Sequence, residues 1–132
     1  MTPIQNLHYA IGLLAYAIAN ADGRVEKEER ETFHNIVETE MRSKDYDFDV
    51  SEVIFHIMDK DKIDSFTAYD WAMKQIRLNS HYLSSKLKAT FIRVIDKIAE
   101  AYPPVTEEEA ELIRKFRREV FIIQGDKVFT RE

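Results

Sequence analysis

The amino-acid sequence predicts an all-α protein, a compact bundle of six to seven helices. Apolar residues recur at spacings of three and four along most of the chain, which is the pattern of helices with one buried face. The 132 residues include only three glycines and three prolines, so few helices are interrupted. An apolar content of 45% is enough for one hydrophobic core, and we therefore predict a single helical domain over residues 1–132.

A repeated unit predicts how the helices are arranged. Residues 14–29 align with residues 94–109, and each copy consists of an apolar helix, a tight loop and an acidic helix start. The residues that recur are Ala19, Ala21, Val25, Glu28 and Glu29, as Ala99, Ala101, Val105, Glu108 and Glu109. This predicts two helical hairpins, residues 3–43 and 84–122, related by an internal pseudo-two-fold axis.

The first hairpin begins with a helix predicted over residues 3–21, with Pro3 in its first turn. Asp22 and Gly23 end this helix, because glycine readily adopts the left-handed conformation found at helix C-termini. A second helix is predicted over residues 26–43. The residues predicted to be buried in these two helices are Ile4, Leu7, Ile11, Leu14, Ile18, Phe33, Ile36, Val37 and Met41.

Four further helices are predicted over residues 50–58, 65–79, 84–101 and 107–122, followed by a short tail. Their predicted inward residues are Val53, Ile54, Ile57, Met58, Phe66, Tyr69, Ala72, Met73, Ile76, Leu87, Phe91, Val94, Ile95, Ile98, Ala110, Ile113, Phe116, Val120 and Phe121. Trp71 lies off the apolar face of its helix, and we expect it to mark a surface for a partner.

The boundary between the last two long helices is encoded locally. Pro103 and Pro104 cannot continue a helix, so the fifth helix must end before them. Thr106 and Glu109 form the capping-box pattern, in which each side chain accepts a backbone amide at the start of the next helix. The sixth helix is therefore predicted to begin directly after Thr106.

Composition disfavours several classes of function. The absence of cysteine excludes disulfides, thiolate zinc sites and cysteine nucleophiles. The four histidines form no His-x-x-x-His pair, and no glycine-rich phosphate loop is present. A net charge of −5 without a basic run longer than two residues argues against a nucleic-acid partner. The N-terminal region has neither a basic signal region nor a sufficiently apolar span, so we predict a cytoplasmic protein that does not cross a membrane.

The Asp-Gly loop is the one place that suggests a ligand. Asn20, Asp22, Gly23 and Glu29 match positions 3, 5, 6 and 12 of an EF-hand loop. Position 1 would be Ile18, which belongs to the apolar stripe, so the segment is not a normal EF-hand. Oxygen ligands of this kind suit Ca²⁺ or Mg²⁺, and we predict a divalent-cation site at Asn20, Asp22 and Glu29.

The same residues have an alternative interpretation that needs no metal. Glu29 corresponds to Glu109 and would occupy the N3 position of its helix, where glutamate caps the backbone. Asp22 can accept amide groups of its own loop, as aspartates in turns commonly do. A second acidic stretch, residues 45–49, lacks the EF-hand glycine and glutamate, and a solvated loop is the favoured interpretation there.

The phrase Ala21-Asp22-Gly23-Arg24-Val25-Glu26-Lys27-Glu28-Glu29, after an alanine-rich helix, resembles the TerB-like family. This family is named for a tellurite-resistance protein, and related domains occur in a membrane-anchored DnaJ-like co-chaperone. The resemblance implies a compact helical fold with internal pseudo-symmetry and a role in metal- or stress-linked signalling. The chain departs from the family pattern at Tyr102-Pro103, where the second Asp-Gly would stand.

The sequence therefore favours a non-catalytic interaction or sensing module of the TerB-like kind, with a protein partner or a homodimer. Two alternatives stay open at this point. One is a metal-dependent enzyme that uses Asp22 and Glu29, although no nucleophile or general base accompanies them. The other is a purely structural adaptor. A concave pocket beside Asp22 with further titratable groups would favour the enzyme over the module.

Overall fold

The computed structural model describes residues 1–41 and 48–131. This part of the chain contains seven α-helices and no strand, which confirms the all-α prediction. The helices are α1 (Pro3–Ala19), α2 (Lys27–Ile36), α3 (Phe48–Asp61), α4 (Ser65–Leu78), α5 (Ser85–Glu100), α6 (Glu107–Phe121) and α7 (Lys127–Thr130). A π-helical segment, Val37–Met41, follows α2, and a 3₁₀ turn, Ser80–Tyr82, precedes α5.

Helix boundaries follow local capping chemistry. Thr2 and Gln5 form a capping box around Pro3 at the start of α1. Thr106 accepts the amide of Glu109 at 3.1 Å and begins α6, as predicted. Gly23 has a φ of +92°, so the left-handed conformation predicted beyond the first helix is present.

The core is centred on α1. Its residues from Ala10 to Ala19 are all buried, and α3, α4, α5 and α6 pack around it. α1 also contacts α5, and Leu14 and Ile18 of α1 are fully buried, as are Val94 and Ile98 of α5. A helix that is apolar on every side is stable only inside such a bundle. None of the described helices combines the length and the apolar character needed to cross a membrane.

The two predicted hairpins pack in a reciprocal manner. The second helix of the first hairpin, α2, lies on α5, and the second helix of the other, α6, lies on α1 and α5. Four of the five matched apolar pairs are buried on both sides: Ile11 and Phe91, Leu14 and Val94, Ile18 and Ile98, Ile36 and Phe116. The fifth pair differs, since Val25 is buried and Val105 is exposed. The pseudo-two-fold superposition itself stays a prediction.

Four residues predicted to point inward are exposed instead. Val53 and Ile57 face outward because α3 buries the adjacent stripe of Ser51, Ile54, Phe55 and Met58. Phe55 supplies the largest group of that stripe, with its ring 5.0 Å from the ring of Phe33. Phe66 and Phe121 are also exposed, at 66% and 79%. In α6 the buried stripe is Glu109, Leu112, Phe116 and Val120, whereas Ala110 and Ile113 are only partly covered.

The short tail predicted after the sixth helix contains α7, the seventh helix of the predicted six to seven. Asp126 accepts the amide of Val128 at 2.8 Å and so caps this turn. The ring of Phe129 packs on His81 and Tyr82 of the 3₁₀ turn, with ring centroids 5.8 and 5.1 Å apart. These contacts hold the tail against the bundle.

Candidate functional site

The Asp-Gly loop is held as a tight turn by its own polar groups. The exposed carboxylate of Asp22 accepts the backbone N–H of Arg24 at 3.1 Å. The side-chain amide of Asn20 donates to the hydroxyl of Ser65 at 3.1 Å. Asn20 therefore ties α1 to the start of α4, and its amide group is engaged away from the Asp22 carboxylate.

Glu29 occupies the capping position that the alternative interpretation predicts. It is only 2% exposed, and its Oε1 accepts the backbone N–H of Glu26 at 2.8 Å. Burial raises the pKa of Glu29 to about 8; the Glu26 hydrogen bond opposes this rise, and the charges of Glu109, Asp22 and Glu26 add to it. A carboxyl group with this pKa is mainly protonated at neutral pH.

Glu109, the equivalent residue of the second repeat, is buried beside this loop. It is 3% exposed, its Oε1 accepts the hydroxyl of Thr106 at 3.1 Å, and its Oε2 is buried without a hydrogen-bond partner. Burial raises the pKa of Glu109, hydrogen bonds from Thr106 lower it, and the charge of Asp22 raises it further. Asp22, Glu29 and Glu109 thus lie close enough for their charges to influence one another, and we call these three residues, from both repeats, the acidic cluster.

The predicted cation site is only partly assembled. Asp22 and Glu29 share this cluster with Glu109, whereas the side-chain amide of Asn20 donates to Ser65. Within the described ranges, no three His, Cys, Asp or Glu side chains are grouped so that they could hold a metal ion. Cation binding at this loop stays a prediction. In the second acidic stretch, residues 45–47 lie outside the described residues.

A polar pocket of about 350 Å³ lies beside the Asp-Gly loop. Its lining residues are Tyr16, Asn20, Gly23, Arg24, Val25, Asp59 and Lys62. The Tyr16 hydroxyl donates to the carbonyl oxygen of Ile63 at 2.6 Å, and Asp59 forms an ion pair with Arg30 at 3.3 Å. A concavity with titratable groups is therefore present beside the loop, which is the feature that favours the enzyme alternative, although Tyr16 and Asp59 are engaged in contacts that join helices.

A second concavity, of about 250 Å³, lies between α6, the start of α4 and the end of α1. We call it the α6 groove, and its lining residues are Ala21, Ser65, Phe66, Glu108, Glu111, Leu112, Lys115 and Arg118. Leu112, only 4% exposed, forms an apolar floor, and Phe66 stands 66% exposed on the wall. Along α6, the groove is lined first by the acidic residues Glu108 and Glu111 and then by the basic residues Lys115 and Arg118.

A polar network beside the α6 groove joins α4 to α6. The hydroxyl of Tyr69 donates to one oxygen of Glu119, and Arg77 binds the other oxygen at 2.6 Å. The ammonium group of Lys115 lies 4.9 Å from the centroid of the Tyr69 ring. The groove is therefore a preformed feature between fixed helices.

Trp71 lies on another face of α4. It is 46% exposed, as its position off the apolar stripe predicts, and it lines a shallow pocket with Tyr9, Lys74 and Gln75. Phe66 was assigned to the core from its spacing, so the sequence indicated one exposed aromatic of α4 and missed the other.

No family model, curated protein or solved structure matches this chain. The resemblance to the TerB-like family therefore rests on the Asp-Gly phrase and its echo around residues 101–109, and stays a prediction.

Proposed function

We propose that this protein is a non-catalytic binding module that acts through the α6 groove. The observation that carries this proposal is the pairing of an exposed aromatic wall, Phe66, with a nearly buried apolar floor, Leu112, inside a rim of charges. An apolar pocket with convergent polar groups is the usual form of a binding site. The TerB-like resemblance agrees with such a role. On the basis of this resemblance, the proposal includes a cytoplasmic location and a link to stress or tellurite response.

The energetics of Phe66 favour a macromolecular partner. Full burial of a phenylalanine side chain contributes about 1.5–3 kcal/mol, and Phe66 has most of this contribution still to gain. The groove is built from helices, so binding needs little ordering of the protein. An aromatic anchor surrounded by charged residues that exclude water is the common composition of a protein–protein hot spot.

The state of the titratable groups supports a module over a metal-dependent enzyme that uses Asp22 and Glu29. Glu29 caps α2, Asp22 closes its own loop, and Tyr16 joins α1 to the α3–α4 connection. Each of these contacts serves the fold. An enzyme needs a base or nucleophile poised toward a substrate, and the polar pocket offers Asp59 already paired with Arg30.

The groove can be tested without a known partner by selecting binders from a random peptide library displayed on phage. Peptides selected on the wild-type protein are expected to bind Phe66→Asp at least about tenfold more weakly, because the variant places a charge on the apolar wall. Leu78→Asp is the matched control, since Leu78 lies on the same helix and is 67% exposed against 66% for Phe66. Titration calorimetry measures both affinities.

Peptides that bind wild type, Phe66→Asp and Leu78→Asp equally would contradict the proposal. Both side chains are exposed, so both variants are expected to keep wild-type stability to within about 0.5 kcal/mol. Thermal unfolding checks this point before binding is compared.

Cation sensing at the acidic cluster is a second candidate function. The observation in its favour is Glu109 Oε2, a buried carboxyl oxygen without a hydrogen-bond partner beside Asp22 and Glu29. A divalent cation beside that oxygen would offset the repulsion between Glu109 and Asp22, with loop carbonyls and water supplying the other ligands. Loss of the bound protons would accompany binding, so affinity is expected to increase with pH.

Thermal shift with Ca²⁺ and Mg²⁺ tests this candidate. Millimolar Ca²⁺ or Mg²⁺ is expected to raise the unfolding temperature of the wild type, and more at pH 8 than at pH 6. Asp22→Asn and Glu109→Gln are expected to abolish the increase, whereas Glu107→Gln, on the same helix but 79% exposed at its side chain, retains it. An unchanged wild-type unfolding temperature would show that Asp22 and Glu29 serve as turn and cap alone.

A further inference from the structure

We propose that the occupant of the α6 groove is a second copy of this chain, with the two α6 helices packed antiparallel across a two-fold axis. This inference rests on the proposed function of the groove. It follows from the order of charges along the exposed edge of α6, from their spacing, and from the intramolecular partners of the remaining charges on that helix.

The charged residues of the groove form one stripe along α6. Glu108, Glu111, Lys115 and Arg118 follow one another at intervals of three, four and three residues, which is the spacing of neighbours on one helix face. The first two are acidic and the last two are basic. A stripe with opposite charges at its two ends is complementary to itself when a second copy runs in the opposite direction.

The spacing of these charges is symmetric about Ile113. Glu108 and Arg118 lie five residues before and after Ile113, and Glu111 and Lys115 lie two residues before and after it. With a rise of about 1.5 Å per residue, the outer charges lie about 7.5 Å and the inner charges about 3 Å from this level.

A two-fold axis at Ile113 therefore sets Glu108 level with Arg118 of the second copy. The same axis sets Glu111 level with Lys115 of the second copy. Since an isologous interface repeats each contact, this arrangement gives four interchain pairs.

The other charges of α6 have partners within the chain. Glu107 pairs with Arg114 at 3.1 Å, and Arg117 pairs with Asp96. Across the part of the chain that the structure describes, Glu108, Glu111 and Arg118 form no ion pair. On the edge of α6 that faces the groove, Glu108, Glu111 and Arg118 are thus available for ion pairs with a second copy.

The helix dipole explains only part of this pattern. Acidic residues near the N-terminus and basic residues near the C-terminus stabilise any helix, so the dipole accounts for the order of the charges. It does not account for the mirror spacing on a single stripe beside an exposed aromatic residue. A self-complementary contact accounts for both.

Apolar contact supplies the affinity in this arrangement, and the charges set its direction. Phe66 of each copy is 66% exposed above the nearly buried Leu112 and would be covered by the other copy. Exposed ion pairs contribute little each, about 0–1 kcal/mol, but like charges placed opposite each other disfavour a parallel arrangement. Because each chain carries a net charge of −5, copies repel at long range and need such local complementarity.

Charge reversal tests the antiparallel pairing by analytical ultracentrifugation. Glu108→Lys with Glu111→Lys makes the stripe entirely basic, and Lys115→Glu with Arg118→Glu makes it entirely acidic. The wild type is expected to form dimers as its concentration increases, and each reversed variant is expected to associate at least about tenfold more weakly. An equimolar mixture of the two variants is expected to regain wild-type association, because each stripe then faces its opposite.

The matched control reverses a pair on the other edge of α6. Glu107→Lys with Arg114→Glu retains an ion pair within the chain and leaves the groove unchanged, so its association is expected to equal that of the wild type. A wild type that stays monomeric over two decades of concentration would overturn the proposal. So would reversed variants that dimerise like the wild type, or a mixture that stays monomeric.

Two further measurements keep the test decisive. If circular dichroism shows that a reversed variant is unfolded, Phe66→Asp and Leu78→Asp replace it. Loss of association in Phe66→Asp alone supports the dimer. Association of Phe66→Asp equal to that of Leu78→Asp overturns it. A monomeric wild type that still binds selected peptides through Phe66 would overturn the second copy as occupant and leave the groove's binding function intact.

Discussion

Replacing Gly12 with alanine should lower the free energy of unfolding by about 3 kcal/mol, although alanine is normally the better helix former by about 1 kcal/mol. A Cβ atom at this position would lie 2.0 Å from Cγ2 of Ile54 and 2.4 Å from the carbonyl oxygen of Ser51. The side chain of Ile54 can turn away, but the backbone of α3 can only move as a whole. Because α1 and α3 cross here with both backbones in close approach, the variant must separate two packed helices.

Urea denaturation of wild type and Gly12→Ala measures this loss. Gly23→Ala is the control, because nothing lies within 4 Å of a Cβ there and its φ of +92° is the only source of strain. That variant is expected to lose about 1 kcal/mol. A Gly12→Ala protein that is as stable as the wild type would show that α1 and α3 are farther apart than described.

The periodicity of the sequence was sufficient to predict the central helices. Four residues predicted to be in the core are fully buried: Leu14, Ile18, Val94 and Ile98. The first two lie on α1, which is buried on every side, and the other two lie on the single apolar stripe of α5. Helix caps were equally predictable where they depend on neighbours in sequence, as with Thr106. A helix cap depends on interactions between residues a few positions apart in the sequence.

The third helix shows why periodicity alone can fail. Val53 and Ile57 are spaced four apart, and so are Ile54 and Met58, so two adjacent stripes meet the same criterion. The choice is made by tertiary packing: Phe55 inserts beside Tyr16 and Phe33, and the rotation of α3 that this requires turns Val53 and Ile57 outward. No local pattern contains that information.

The acidic cluster was predictable in part for a similar reason. Asp22 and Glu29 were found because they lie seven residues apart. The contribution of Glu109 depends on how the two repeats pack, eighty residues apart in sequence. The repeat itself was the available signal, since it aligns Glu29 with Glu109.

Glu29→Gln should stabilise the protein on the order of 2–4 kcal/mol at pH 8.5 and leave its stability almost unchanged at pH 5. The pKa of Glu29 is raised from 4.5 to about 8 in the folded protein, first by burial and then, against the Glu26 hydrogen bond, by the charges of Glu109, Asp22 and Glu26. Between these two values the folded state binds more protons than the unfolded state. The free energy of unfolding therefore falls as pH rises through this window, by at most about 1.4 kcal/mol per pH unit.

Glutamine keeps an acceptor for the Glu26 amide and carries no charge, so the variant preserves the cap and removes the titration. Urea denaturation from pH 5 to pH 9 gives the difference between variant and wild type at each pH. Glu28→Gln is the control for removing a glutamate from the same helical turn, because Glu28 is exposed. A Glu29→Gln difference that does not change with pH would mean that burial does not raise the pKa of this carboxyl group in the folded protein.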